Sequence, residues 1–201
     1  DQLDPDVDAA VRTALNKLET LGATMVDIEV PDIEEFNAVA ILIQLAEATS
    51  VHRRRFQEHP EDFGDDVRML IEQGYFVTAT DYLDAQRRRR KLNSDFNTLL
   101  QQVDVIVAPT IPIVAAKIGQ TTTTIGGIEG NVRLVTTRLV RALNLTGLPV
   151  LSVPCGMSSE GLPIGLQLIG SLFGEASLLE MGHAYEQATE WHTQRAPNLN
   201  D

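Results

Sequence analysis

The residues of this chain that could do chemistry are few. Cys155, the single thiol, follows an apolar run and is intrinsically the strongest nucleophile present. Thiol catalysis needs a base within hydrogen-bond reach, and the nearest histidine along the sequence, His183, lies well into a later helix. Cys155 therefore reads as a small packed hydrophobe. Ser158 and Ser159 sit in the run Gly156–Gly161, G-M-S-S-E-G, where their side chains suit a turn. A serine nucleophile has to be activated by a base, and none of the three lysines, Lys17, Lys91 and Lys117, lies in a serine-rich context. His52, His59, His183 and His192 lack metal-ligand spacing. The basic run Arg87–Lys91, R-R-R-R-K, could suit an anion or nucleic acid. Successive residues on a helix point in different directions, however, no aromatic residue interrupts the run, and the net charge is −12, so a solvated helix surface is the better reading. No catalytic residue is expected in this chain, and no metal.

The elements that would position these residues converge on Asn144–Gly170. Its two short apolar runs, Val150–Val153 and Ile164–Ile169, are bounded by Gly or Pro and predict two buried antiparallel strands. Upstream, Asp4 before Pro5 marks a helix start, Val7, Val11, Leu15, Leu18 and Leu21 recur at helical spacing, and Gly22 stops the helix. Met25–Val30 alternates as a strand would. Helices are expected from Ile33 to about Phe56, over Phe63–Ile71, from a cap at Thr80 to about Gln102, and over 131–144. Val103–Ala108 predicts a strand, and the Thr/Gly-rich run Gln120–Gly130 a mobile loop. Ser177 with Glu180 predicts a capping box that opens a last helix reaching Trp191, followed by a polar tail over His192–Asp201. The result is one α/β unit over 1–201: helical over about 33–102, strand-rich over about 103–170, with a final helix over about 177–190.

Several of these runs resemble one known family. N-L-T-G-L-P-V-L-S-V-P-C-G followed by G-L-P-I-G-L-Q-L-I-G closely resembles the C-terminal part of the amidase signature family, enzymes that act on amide C–N bonds. Asp104–Gly119 and Phe173–Glu186 agree in order, and Leu21–Pro31 and Asp81–Arg89 do so more weakly. The resemblance implies a large α/β domain with a mixed central sheet covered by helices, of which this chain would be the later portion. It implies a Ser–cis-Ser–Lys triad on an upstream Gly/Ser-rich stretch that is absent here, no organic cofactor, a small-molecule amide substrate, and the missing N-terminal half as partner. In the family the loop after the 103–108 strand borders the substrate cleft, which makes Thr110 a candidate wall residue, or else a turn cap. Thr137 and Asn144 are the other candidate substrate-binding residues. Asn144 could instead hold the turn at Gly147 by side-chain bonds to backbone. The glutamine-dependent tRNA amidotransferase branch commonly has an acidic residue several positions before this Asn. Here Thr136–Val140 carries Thr137 and Arg138, a departure that argues against glutamine use and a tRNA role.

With 201 residues, 43% of them hydrophobic and 22% charged, the chain can bury a sizeable core. Its negative charge disfavours nucleic acid or an anionic membrane as partner. A lone cysteine fits a reducing cytoplasm, and no apolar run is long enough to span a bilayer. Asp1 in first position and a first helix with no strand before it suggest that an upstream part is missing. The exposed sheet edge and apolar surface of such a piece predict self-association, as a homo-oligomer or by aggregation. The alternative is a free-standing, non-enzymatic binding or scaffold module of the same fold.

Overall fold

The computed structural model describes residues 3–195. Helix α1 (Pro5–Thr20) begins where Asp4 and Pro5 signal it: the Asp4 carboxylate accepts from the Asp6 N–H at 2.9 Å, and Val7, Val11, Ala14 and Leu18 form its buried stripe. Beyond Gly22 the expected strand at Met25–Val30 is an extended segment without a ladder. A strand needs a neighbour, and none of the described strands pairs with it. Met25 and Ile28 instead lean on two different hydrophobic clusters.

Three helices follow. Helix α2 (Ile33–Glu58) is capped by Asp32 and stopped by His59-Pro60, after which Pro60–Asp62 make a single 3-10 turn. Helix α3 (Asp65–Gly74) packs back on α2 so closely that Gly74 lies against Thr49, whose hydroxyl donates to the Ile71 carbonyl at 2.7 Å. Helix α4 (Ala79–Leu99) is capped by Thr78 rather than the expected Thr80. The reason is spacing. Asp81 stands three residues after Thr78, so its N–H reaches the Thr78 hydroxyl at 3.1 Å while its carboxylate accepts the Thr78 N–H at 3.2 Å.

Strand β1 (Val105–Pro109) comes next. The run expected to be a mobile loop contains a hairpin, β2 (Thr122–Ile125) and β3 (Ile128–Asn131). Its β-branched threonines suit strand, and Gly126 and Gly127, at φ +58° and +79°, turn the chain between them. Helix α5 (Val132–Thr146) leads into β4 (Val150–Met157) and β5 (Pro163–Gly170). Helix α6 (Glu175–Gln187) starts at Gly174 with no side-chain cap, so the capping box expected from Ser177 does not form. A turn in which the Gly174 N–H meets the Ser171 carbonyl at 2.9 Å already sets the boundary, leaving Ser177 inside the first turn. The helix stops short of Trp191, which opens a separate 3-10 turn (Trp191–Thr193). Most of the expected polar tail lies outside the described residues.

The α/β class holds, and the main sheet is three-stranded in the order β1-β5-β4. Both pairings are antiparallel, and no parallel ladder occurs among the described residues, so the mixed character expected of the central sheet is not represented here. Side chains along β5 alternate between two cores. Leu166 and Leu168 join α1, α6 and Cys155, whereas Ile169 joins Ile106 and the packed faces of α2, α4 and α5. Further along that second face, Gln167 of β5 and Ser152 of β4 stand opposite each other as polar side chains.

Candidate functional site

That polar end of the sheet is built around Gly165. Ser152 and Gln167 lie opposite each other in register, and Thr110 follows the end of β1. The Thr110 N–H donates to the Gly165 carbonyl at 2.9 Å, and the Thr110 and Ser152 hydroxyls meet at 2.7 Å across the glycine. A Cβ on Gly165 would stand 2.8 Å from Thr110 Oγ1 and 3.2 Å from Ser152 Oγ, so this crossing requires a residue without a side chain. Gln167 is 2% exposed and donates from Nε2 to the Pro109 carbonyl at 3.0 Å. Its Oε1 finds no hydrogen-bond partner among the described residues, an uncommon state for a buried acceptor. Thr110 thus ties the end of β1 to β4 rather than capping a turn with its hydroxyl.

The other two candidate residues meet elsewhere. Thr137 and Asn144 line a cavity of about 540 Å³ between α2 and α5, together with Glu47, Arg89, Arg133 and Arg141. Asn144 faces solvent, and the turn at Gly147 (φ +74°) is fastened by its neighbour. The Thr146 hydroxyl donates to the Leu143 carbonyl at 2.7 Å and accepts the Leu148 N–H at 3.2 Å, which displaces the turn-holding role expected of Asn144. Thr137 Oγ1 donates to the Arg133 carbonyl at 2.7 Å and accepts from the Arg141 guanidinium. Burial, followed by the charge of Arg133, pushes the Arg141 guanidinium below its ordinary value. Thr110 is not part of this cavity, so the candidate residues fall into two groups. Sequence reasoning missed Ser152 and the cationic character of the cavity. The spacing of Arg133, Thr137 and Arg141, every fourth residue along one helix, was the available signal for the latter.

The remaining reactive side chains are structural. Cys155 is 1% exposed, and burial pushes its thiol up to about 11, far from a nucleophile's range. Ser158 Oγ accepts backbone N–H groups from Glu160 and Leu162 inside its turn. Ser159 donates both its N–H, at 2.7 Å, and its hydroxyl, at 2.8 Å, to the Asp6 carboxylate, which the backbone bond first and the hydroxyl second hold below the usual carboxylate value. The Arg87–Lys91 run is largely spoken for: Arg87 pairs with Asp84, Arg88 with Glu35 and Lys91 with Asp95, and Arg89 donates to the Leu145 carbonyl at 2.7 Å. No group of three or more His, Cys, Asp or Glu suited to a metal occurs among the described residues, and none of their helices is long and apolar enough to cross a membrane.

The described residues form a small antiparallel sheet with helices on both faces, one face carrying a strip of hydroxyl and amide side chains. The chain belongs to the amidase family, whose family model, described as Amidase, matches residues 1–179. It is 44% identical over 201 residues to an amidase of Pseudomonas putida, covering 99% of this chain and 42% of that protein. It is 37% identical over 217 aligned residues to a glutamyl-tRNA(Gln) amidotransferase subunit of Chloroflexus aurantiacus, covering 96% of this chain and 43% of that protein. A crystal structure of an amidase superposes with a TM-score of 0.86 at 28% identity, over 92% of this chain and 42% of that one. The chain therefore spans about two fifths of the length of the relatives it matches.

Proposed function

We propose that this chain is the C-terminal part of an amidase that hydrolyses the C–N bond of a small-molecule amide, and that it shapes the substrate pocket while the reactive groups come from another part of the enzyme. One observation carries the reading. The family match runs through most of the chain, yet among the described residues no lysine is hydrogen-bonded to a serine: Lys91 pairs with Asp95, Ser159 serves a turn and Ser152 the sheet crossing. In the proposed enzyme a serine outside this chain attacks the amide carbonyl, a lysine relays the proton through a second serine, and backbone N–H groups stabilise the oxyanion. Thr110, Thr137 and Asn144 would then serve as wall residues contacting substrate. The amidase reading is preferred to glutamine-dependent amidotransfer because the stretch Thr136–Val140, several positions before Asn144, carries Thr137 and Arg138 where that branch commonly has an acidic residue, and because identity is higher to the amidase than to the amidotransferase relative.

The test compares the isolated chain with the full-length enzyme on a panel of aliphatic and aromatic amides, following ammonia or amine release. The full enzyme is expected to turn over and the isolated chain to stay at background. Turnover by the isolated chain would overturn the assignment.

A further inference from the structure

We infer that Arg133 and Arg141, which line one cavity with Arg89, form a carboxylate-binding subsite, so that the amide cleaved by the parent enzyme carries a free carboxylate. This rests on the amidase reading and deepens it.

Helix α5 carries three arginines, and they are treated differently. Arg138 has a carboxylate, Glu34, at 2.7 Å. Arg133 and Arg141 lie half-buried along the stripe that faces the cavity, and neither has an acidic partner among the described residues. Arg141 has one side-chain contact, the Thr137 hydroxyl. Both guanidiniums line the same cavity, and the charge of Arg133 adds to burial in lowering the Arg141 value. Gathering like charges around one cavity, with water partly removed, is unfavourable unless an anion joins them. Arg89 also lines the cavity and adds a third positive charge. The one carboxylate lining it, Glu47, forms no ion pair with these arginines among the described residues; its Oε1 accepts from the Tyr82 hydroxyl at 2.9 Å and from Gln86 at 3.5 Å. Guanidinium is suited to holding a planar carboxylate by two parallel N–H bonds.

The experiment uses the full-length enzyme and the monoamides of succinic, glutaric and adipic acids, each beside the neutral acyl amide of equal chain length. The wild type is expected to favour at least one acidic amide in kcat/KM. Charged hydrogen bonds of this kind carry about a ten- to hundredfold effect, so Arg141→Gln should lower the acidic-to-neutral ratio of kcat/KM by that factor. Arg141→Lys should fall between, keeping the charge and losing the fork. Calorimetric titration with succinate or glutarate reads the subsite without turnover, and the affinity should fall by a similar factor in Arg141→Gln. Three results overturn the inference: a wild type indifferent to the carboxylate, an equal loss on acidic and neutral amides in Arg141→Gln, or dicarboxylate binding that the substitution leaves unchanged. The last would arise if an acidic side chain of the enzyme itself already occupied the pair. A wild type that cleaves no amide at all overturns the amidase reading, and the titration then decides the subsite alone.

Discussion

Replacing Gly165 by alanine puts the geometry of the polar strip to a quantitative test. The added methyl would stand 2.8 Å from Thr110 Oγ1, 3.1 Å from Thr110 Cβ and 3.2 Å from Ser152 Oγ. The first two are well inside van der Waals contact, and Thr110 is anchored by its own N–H on the Gly165 carbonyl, so it cannot swing away freely. Overpacking of this kind costs about 1–3 kcal/mol, and forcing the Thr110 and Ser152 hydroxyls apart adds about 0.5–1.5 kcal/mol. Alanine recovers about 0.5–1 kcal/mol through its lower unfolded-state entropy. The net expectation is a loss of about 0.5–4 kcal/mol, read from the urea midpoint by far-ultraviolet circular dichroism at low protein concentration. Thr110→Ala removes the nearest atom, so the double variant Gly165→Ala/Thr110→Ala should be more stable than additivity allows, by about 1 kcal/mol. Additivity within about 0.5 kcal/mol, or a Gly165→Ala protein as stable as its parent, would refute the close approach on which the strip depends.

Thr78→Ala should cost about 0.5–2 kcal/mol, because it removes the helix cap, whereas Thr80→Ala should cost appreciably less in the same urea titration. The Asp6 carboxylate is held below its ordinary value of 3.8, so its contribution to stability is fully present above that pH and disappears as pH falls through the lowered value. Comparing unfolding midpoints of wild type and Asp6→Asn from neutral pH into the acid range should show a difference that closes only below the ordinary carboxylate value. Cys155, buried and with its thiol raised to about 11, should resist a disulfide reagent at pH 8 in the folded protein and react within seconds to minutes in urea. Size-exclusion chromatography of the isolated chain should show concentration-dependent association, since Phe76 at 85% and Phe173 at 92% exposure add apolar surface to its open strand edges.

Local signals with a covalent or stereochemical cause were legible in the sequence. Pro5 after Asp4 marked the first helix to the residue, and the proline-bounded apolar runs after Gly147 marked the antiparallel pair β4 and β5. The Thr78 cap was legible too, since Thr78-x-x-Asp81 has capping-box spacing; the choice of Thr80 overlooked it. Met25–Val30 failed for a different reason: alternation predicts a strand, but a strand exists only where a neighbour supplies hydrogen bonds. The reverse error at Gln120–Gly130 took composition for mobility, although β-branched threonines around Gly126-Gly127 can pair with themselves. The role at Gly147 passed from Asn144 to Thr146 because helix phase, which decides which side chain faces the backbone turn, was ambiguous by two residues. Of the candidate site, the individual residues were legible and their grouping was not. That Thr137 shares a cavity with three arginines, while Thr110 belongs to the sheet, follows from how α2 and α4 pack on α5.

Strand β5 contributes to both hydrophobic clusters, with Leu168 facing one and Ile169 the other. The two layers hang from a single peg, and neither can be pulled off while the other stays put. Loosening that strand anywhere along its length should therefore bring down both sides together, so probes placed on α1 and on α4 ought to melt at one temperature.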